Sequence, residues 1–299
     1  MNVNITCVIV TYNRIEKLKK CLASYEQQIF KPKKVIVVDN GSNQETKDFL
    51  KNWSLSFNGF EKIVLTLDSN YGGSGGFYYG LKKAKELGFD WVWIADDDAY
   101  PEKDAFLKLK DYISTHDVNV VCSSVYENNK IANAHRRILI NNKFKTKEIP
   151  IDNEKYDCEF KFNIFSFVGT AFTFKVLEKC GLPNKDFFIW FDDSEYSRRV
   201  NDFFEIVCVP GIKVLHDVDG FTQSGLSWKT YYGFRNQFYM HKKHDTKMQF
   251  FCFLIHQKLY MMKCFFLDKR RYRVLKDGYN DFRKGKMGIS EKYHPGTKI

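Results

Sequence analysis

Three consecutive carboxylates, Asp96, Asp97 and Asp98, end the apolar run Trp91-Val92-Trp93-Ile94-Ala95. The run has the length and the β-favouring residues of a buried strand. Its carboxylates then sit at a strand C-terminus, where open α/β sheets bind their ligands. Alternation along a strand puts Asp96 and Asp98 on one face and turns Asp97 away. Two carboxylates on one face repel unless a cation lies between them. Oxygen ligands of this kind suit Mg²⁺ or Mn²⁺ held together with substrate phosphates. An acidic turn that ends a strand and opens a helix at Pro101 and Glu102 is the plainer alternative.

A second acidic cluster is Asp192-Asp193-Ser194-Glu195, followed by Arg198 and Arg199. In a helix starting at Asp192, Asp192 and Glu195 share one side. Acidic residues in a first turn and arginines in a last turn also offset the helix dipole, so capping alone accounts for the pattern. A lone histidine, His216, follows the strand-like Val214-Leu215. A structural histidine is the ordinary reading of such a residue. Four glycines lie in Asn70-Tyr71-Gly72-Gly73-Ser74-Gly75-Gly76, just before a helix expected from about Phe77 to Leu87. Glycines at a helix entry let backbone N–H groups approach an anion or a sugar. The spacing matches neither the dinucleotide fingerprint nor the P-loop, and a flexible loop is the alternative.

The elements that must position these residues alternate. Strands are expected at Ile5–Val10, Val35–Val38 and Ile63–Leu67, with helices after the first at Ile15–Tyr25 and after the second at Gln44–Trp53. Strand-helix alternation predicts a mostly parallel sheet covered on both faces, with polar residues converging on one edge. Further strands are expected at Val120–Val125, Phe165–Phe174 as a strand pair or one strand bent at Gly169, and Phe204–Pro210, with a short helix at Val176–Cys180. Residues 127–160 show no clear period.

The order of Thr11-Tyr12-Asn13-Arg14, Val38-Asp39-Asn40-Gly41-Ser42, the glycine-rich stretch and the Asp triplet resembles inverting glycosyltransferases of family 2, which use the GT-A fold. The resemblance covers about Ile5 to Tyr239. It implies a nucleotide-sugar donor, with Thr11 and Arg14 lining the nucleotide site and Asp39 contacting the base. Asn70 and Gly73 would lie near the ribose and diphosphate, and Asp97 beside the donor. Asp96 and Asp98 would form the D-x-D pair on Mn²⁺ or Mg²⁺, with His216 completing the metal site. Residues 192–199 are similar to the family's base element, with Asp192 in place of the usual Glu, which implies Asp193 as general base. The triple Asp, the Trp190–Tyr196 form of the base element and Trp228-Lys229-Thr230-Tyr231-Tyr232-Gly233-Phe234-Arg235-Asn236 resemble the galactofuranosyl and rhamnosyl branch. This implies UDP-galactofuranose, with dTDP-rhamnose as the alternative, and a glycan or lipid-linked glycan acceptor of a bacterial envelope polysaccharide, a capsule or O-antigen. Trp190, Asp192, Trp228 and Tyr232 are candidate acceptor contacts, with core packing as the alternative for the aromatics.

The chain has 299 residues and a net charge of +11, and residues 240–299 carry 15 Lys/Arg against 5 Asp/Glu. We divide it into a catalytic domain, 1–225, and a basic helical extension, 226–299. Phe250–Ile255 and Met261–Leu267 are apolar but interrupted by His256, Gln257, Lys258 and Lys263, so no membrane-spanning stretch is expected. An apolar helix followed by Lys269-Arg270-Arg271-Tyr272-Arg273 predicts a helix lying on an anionic membrane surface, and a packed or oligomerising helix is the alternative. No nucleic-acid module accompanies the basic patch. Eight scattered cysteines without a CxxC pair and a start without a signal peptide predict a cytoplasmic protein, peripheral on the inner face of the membrane. A GT-A-fold membrane-binding module that has lost its chemistry is the alternative of another class.

Overall fold

The computed structural model describes residues 3–218 and 225–299. Its first half alternates β1 (Ile5–Thr11), α1 (Ile15–Glu26), β2 (Lys34–Asp39), α2 (Gln44–Leu55), β3 (Glu61–Thr66), α3 (Gly72–Leu87) and β4 (Trp91–Asp96). Then follow β5 (Ala99–Pro101), α4 (Ala105–Thr115), β6 (Val120–Glu127), β7 (Lys130–Ile131), β8 (Arg136–Asn142) and β9 (Lys145–Pro150). The remainder is β10 (Phe160–Phe162), β11 (Ile164–Phe165), β12 (Thr170–Thr173), α5 (Phe174–Cys180), α6 (Asp192–Asn201), β13 (Ile206–His216), α7 (Trp228–His244), α8 (Lys247–Leu267) and α9 (Lys269–Arg283).

The main sheet runs β10-β13-β6-β12-β4-β1-β2-β3. β3, β2, β1 and β4 are mutually parallel, and β12 inserts antiparallel between β4 and β6. Every residue of β1 is buried, as expected of a strand covered on both faces. One face packs Tyr25, Trp93 and Phe106; the other packs Phe77, Phe172 and Tyr196. Register does the positioning. Thr11 pairs with Asp39 across β1 and β2, and Val10 pairs with Asp96 across β1 and β4. Thr11, Asp39 and Asp96 therefore finish level along one sheet edge.

The late histidine reaches the same edge by a second device. β5 pairs antiparallel with the end of β13, setting His216 opposite Ala99, and the Asp217 N–H donates to the Asp98 carbonyl at 2.8 Å.

Several boundaries differ from the sequence reading. The glycines open α3 rather than preceding it. Gly72 has φ +72°, and a Cβ there would meet the Phe188 carbonyl oxygen at 1.9 Å; one at Gly76 would meet Val10 Cγ1 at 2.3 Å. The glycines thus admit a neighbouring loop and the sheet at close range. Phe165–Phe174 splits between two sheets, β11 and β12, with Gly169 at φ +65° making the bend. Within the aperiodic region 127–160, β8 and β9 form an antiparallel pair that β11 completes to a three-stranded sheet, and these two half-exposed strands carry no strong alternation. The basic cluster lies in a helix of its own, α9. All eight cysteines are free; Cys158 is exposed and Cys252 half-buried, while the other six are buried. Finally, α8 is 21 residues long and apolar enough to cross a membrane by length and composition. This corrects the expectation of no such stretch: Lys258 and Lys263 are too few charges to disqualify it.

Candidate functional site

A cavity of about 730 Å³ opens at the sheet edge. It is lined by Thr11, Arg14, Asn70 and Gly73, by Asp96, Asp98 and His216, and by Trp190, Asp192, Asp193 and Trp228. Three predicted residues do not line it. Asp39 and Asp97 are fully buried behind the wall, and Tyr232 is fully buried. The Tyr232 hydroxyl donates to the Tyr293 carbonyl at 2.6 Å and accepts from the Ser290 N–H at 2.9 Å. Its ring packs on Phe188 with centroids 4.9 Å apart. An acceptor sugar cannot stack on it, which corrects that assignment.

The three aspartates divide their work. Asp97 accepts from the Thr11 hydroxyl at 2.6 Å and pairs with Arg14. It anchors both side chains from behind rather than facing a donor. Burial pushes its carboxyl up to about 7, against the pull of Arg14 and Thr11. Arg14 Nη1 also donates to Asp98 Oδ2 at 2.6 Å. Burial raises the Asp98 carboxyl, but His216 and Arg14 together hold it below the usual carboxylate range. Asp96 is pushed up to about 6 by burial and by Asp98 beside it.

His216 Nε2 lies 3.4 Å from Asp98 Oδ1, an atom that is buried and accepts no hydrogen bond. Two donors each about 2.1 Å from one divalent ion lie roughly 3.0–3.5 Å apart, so this pair fits a shared cation. His216 Nδ1 bonds Glu127 Oε1 at 2.8 Å, which leaves Nε2 facing Asp98. Such a carboxylate behind a ligating imidazole orients it. Burial would lower the His216 pKa, yet Asp98 and Glu127 push it up to about 9. Glu127, His135 and His216 also bring ligand atoms within 4.8 Å of one another. In that group Glu127 Oε1 already bridges His216 and His135 Nε2, the latter at 3.1 Å, and His135 Nδ1 bonds Ser166 at 2.7 Å. Hydrogen bonding therefore accounts for its spacing, and Asp98–His216 is the better cation site.

Asp193 sits in the first turn of α6 with Oδ1 accepting from the Ser194 N–H at 2.6 Å. Its side chain is 27% exposed, which leaves it open to the cavity. Burial raises the Asp193 carboxyl, and Arg137 opposes the rise. Asp192 is pushed up to about 7 by burial and by Asp193. The segment leading into α6 is strained: Phe188, Trp190 and Phe191 have φ of 68°, 66° and 67°. Two buried residues of α7 hold it. Asn236 Nδ2 lies within 3.0 Å of the Phe187, Ile189 and Trp190 carbonyls, and Arg235 Nη2 donates to the Phe187 carbonyl at 3.2 Å. The Trp228–Asn236 pattern is thus a clamp on the loop that carries Asp193.

Sequence reasoning missed Asn40, Glu127, His135 and Arg137. Asn40 Nδ2 donates to the Gly72 carbonyl at 2.8 Å and ties β2 to the α3 entry. It stands beside Asp39 in a quoted fragment, so a signal was there. The other three come from the aperiodic region 127–160, where the sequence offered no signal that singled them out.

Several known proteins resemble this chain in sequence or in fold. A galactofuranosyltransferase GlfT1 of Mycolicibacterium smegmatis is 29% identical over 66% of this chain and 65% of its own. A dTDP-rhamnosyl transferase RfbF of Shigella flexneri is 25% identical over 73% of this chain and 70% of its own. The chain therefore spans just under two thirds of the length of the first of these. The crystal structure of the mannosyltransferase PcManGT from Pyrobaculum calidifontis, in complex with GDP-Man and Mn²⁺, superposes with a TM-score of 0.59 at 15% identity, covering 95% of this chain and 76% of that one. At that identity the likeness shows the fold, which is GT-A. The model of the family described as "Glycosyl transferase family 2" matches residues 6–181, more than half of the sequence, and the chain belongs to that family.

Proposed function

We propose that the chain is a metal-dependent inverting glycosyltransferase that moves galactofuranose from UDP-galactofuranose to a glycan or lipid-linked acceptor of a bacterial surface polysaccharide. One observation carries the reading: a cation-fitting Asp98–His216 pair and an open carboxylate, Asp193, line one cavity. The relative named a galactofuranosyltransferase supports the donor. The relative named a dTDP-rhamnosyl transferase supports a second reading, dTDP-rhamnose.

In this reading the nucleotide lies along Thr11, Arg14 and Asn70. Asp39 Oδ1 is taken by the Ser42 N–H at 2.9 Å, and Oδ2 is buried behind the cavity wall without a hydrogen-bond partner, so it meets an N–H of the base only where the wall opens to admit it. The diphosphate meets Gly73 at the N-terminus of the 16-residue helix α3, whose positive end favours anions, while the flanking Gly72 and Ser74 N–H groups are taken by Asn70 Oδ1 and the Phe188 carbonyl. Asp96, Asp98 and His216 would hold Mn²⁺ or Mg²⁺, which neutralises charge on the leaving diphosphate when bound. Asp193 takes the proton of the acceptor hydroxyl as that hydroxyl attacks C1 from the face opposite the diphosphate. Trp190, with 46% of its surface exposed, and Trp228 supply aromatic faces on the acceptor side, with Asp192 beneath them.

Calorimetry of UDP and dTDP with and without Mn²⁺ tests the donor. Metal-dependent UDP binding with weaker dTDP binding supports galactofuranose, and the reverse order supports rhamnose. His216→Ala is expected to weaken Mn²⁺-dependent UDP binding at least tenfold, since loss of a mere supporting group costs about 10–100-fold. Unaltered affinity at limiting Mn²⁺ would remove His216 from the ligand set.

We also assign residues 226–299 as a helical extension that rests on the inner face of the membrane. Met248, Phe251, Ile255, Leu259, Met262 and Phe266 are exposed along α8 at three- and four-residue spacing, which puts them on one face. α9 packs against α8 and begins with Lys269, Arg270 and Arg271. Burying α8 across a bilayer would drag those charges in, so a helix lying in the interface fits better. Changing Phe251, Ile255, Leu259 and Phe266 together to Ser is expected to abolish co-sedimentation with phosphatidylglycerol vesicles while UDP binding persists. Unchanged sedimentation would reject the surface.

A further inference from the structure

Arg136 and Arg137 are neighbours with different tasks. Arg136 is fully buried, and its guanidinium donates to the Ser123, His135 and Val168 carbonyls at 3.0, 2.9 and 2.8 Å. It is a satisfied structural arginine. Arg137 lines the cavity, and its Nε is buried with no hydrogen-bond partner. Its charge instead lies between two carboxylates. Nη1 donates to Glu148 Oε2 at 2.7 Å, and Nη2 is 3.7 Å from Asp193 Oδ2. Glu148 is held in turn by Arg198 at 3.2 Å, and Arg198 by Asp245 at 3.3 Å. Charges alternate from the cavity outward: Asp193, Arg137, Glu148, Arg198, Asp245. β8, β9, α6 and the end of α7 supply them.

We propose that Arg137 is a positioning residue for Asp193, holding it charged and aimed at the acceptor side of the cavity, and that Glu148 sets how much of the Arg137 charge Asp193 feels. The inference rests on the reading of Asp193 as general base. Such a base must be ionised near neutral pH, yet it must still want a proton. The other groups facing Asp193 work against ionisation. Asp192 adjoins it on α6, and Asp96 on β4 faces it across the cavity; only the Ser194 N–H and hydroxyl on its own helix assist. An unshared arginine at this distance would oppose them, but would leave a weak base. Sharing the guanidinium with Glu148 gives an intermediate setting. The antiparallel β8–β9 pair, in which Arg137 sits opposite Pro150 and Leu139 opposite Glu148, places both residues on one rigid support.

The test follows the Asp193 carboxyl directly. The full chain is labelled with [¹³C]aspartate, the Asp193 carboxyl resonance is identified by its loss in Asp193→Asn, and its shift is followed against pH. Arg137→Met is expected to raise the midpoint by about 1–3 pH units, the usual effect of one opposite charge removed at this range. Glu148→Gln is expected to lower it, because a like charge near Asp193 is removed and Arg137 is then unshared. Arg137→Lys should stay near the parent. General damage to the site moves both midpoints the same way, so opposite signs mark the device. Equal midpoints in the parent and a folded Arg137→Met, or a rise in Glu148→Gln, would overturn it. Should Arg137→Met not fold, judged by its circular dichroism, the Arg137→Lys and Glu148→Gln pair decides. The readout needs neither donor nor acceptor. Failure of the base reading would show instead as undiminished transfer by Asp193→Asn, so the two failures are distinct.

Discussion

Replacing Asp193 by Asn is expected to lower sugar transfer by about 10²–10⁴-fold while UDP still binds in the presence of Mn²⁺. Asn keeps the shape and the oxygen that accepts the Ser194 N–H at 2.6 Å, so the start of α6 stays capped. What is lost is the group that takes the acceptor proton. The proposed nucleotide contacts, Thr11, Asp39 and Asn70, belong to β1, β2 and the α3 entry, and none of them bonds Asp193. The check pairs calorimetry of UDP binding with the rate of UDP release from UDP-galactofuranose in the presence of a membrane fraction as acceptor source. Undiminished release would dismiss Asp193 as base. A folded parent protein that binds neither UDP nor dTDP with metal present would favour the module without chemistry.

How much of this was legible depended on what each segment had to satisfy alone. β1, β2 and β4 are buried on both faces, so they announce themselves as unbroken apolar runs, and their ends could be read with them. The side chains at those ends follow from register, and three of the four quoted fragments arrive at one edge of the sheet for that reason. The alternation argument also separated Asp97 from Asp96 and Asp98. It could not say that Asp97 would spend its carboxylate on Thr11 and Arg14, because that depends on partners 86 and 83 residues away in sequence.

Glu127, His135 and Arg137 were hidden for a different reason. Glu127 ends β6 of the main sheet, His135 lies in the short turn before β8, and Arg137 is on β8 of a small half-exposed sheet whose strands pair locally but bury little, so hydrophobic period is weak there. Tyr232 shows the opposite failure. Its motif was noticed and its aromatic ring was assigned to a ligand, when the motif's chemistry lies in the amide and guanidinium that follow. Pattern alone does not say which member of a W-x-x-Y-Y-x-x-R-N segment faces solvent. The buried aromatics of α7 pack the strained loop from below, and Arg235 and Asn236 bond its backbone.

Asn236→Ala should therefore be the most damaging change outside the cavity. Three non-glycine residues at positive φ, Phe188, Trp190 and Phe191, each cost about 1–3 kcal/mol unless their surroundings compel them. Asn236 is part of that compulsion. Its amide has two hydrogens for three carbonyls within 3.0 Å, so removing it leaves about two buried acceptors unpaired. At about 1–3 kcal/mol each, the loss rivals the strain it was restraining. The loop then relaxes toward ordinary φ values, and Asp193, the second residue of the helix it feeds, moves with it. A displacement near 1 Å costs about 10²-fold in rate, so kcat is expected to fall by that factor. UDP affinity should fall less than kcat, because β1, β2 and β4 do not take part and the loop meets the donor side only where the Phe188 carbonyl accepts from the Ser74 N–H at the α3 entry. A loss of about 2 kcal/mol should also lower the melting temperature by roughly 4–8 °C. Full activity in Asn236→Ala would mean that aromatic packing alone sets the loop, and the clamp would have to be assigned to Phe188 and Tyr232, whose ring centroids lie 4.9 Å apart.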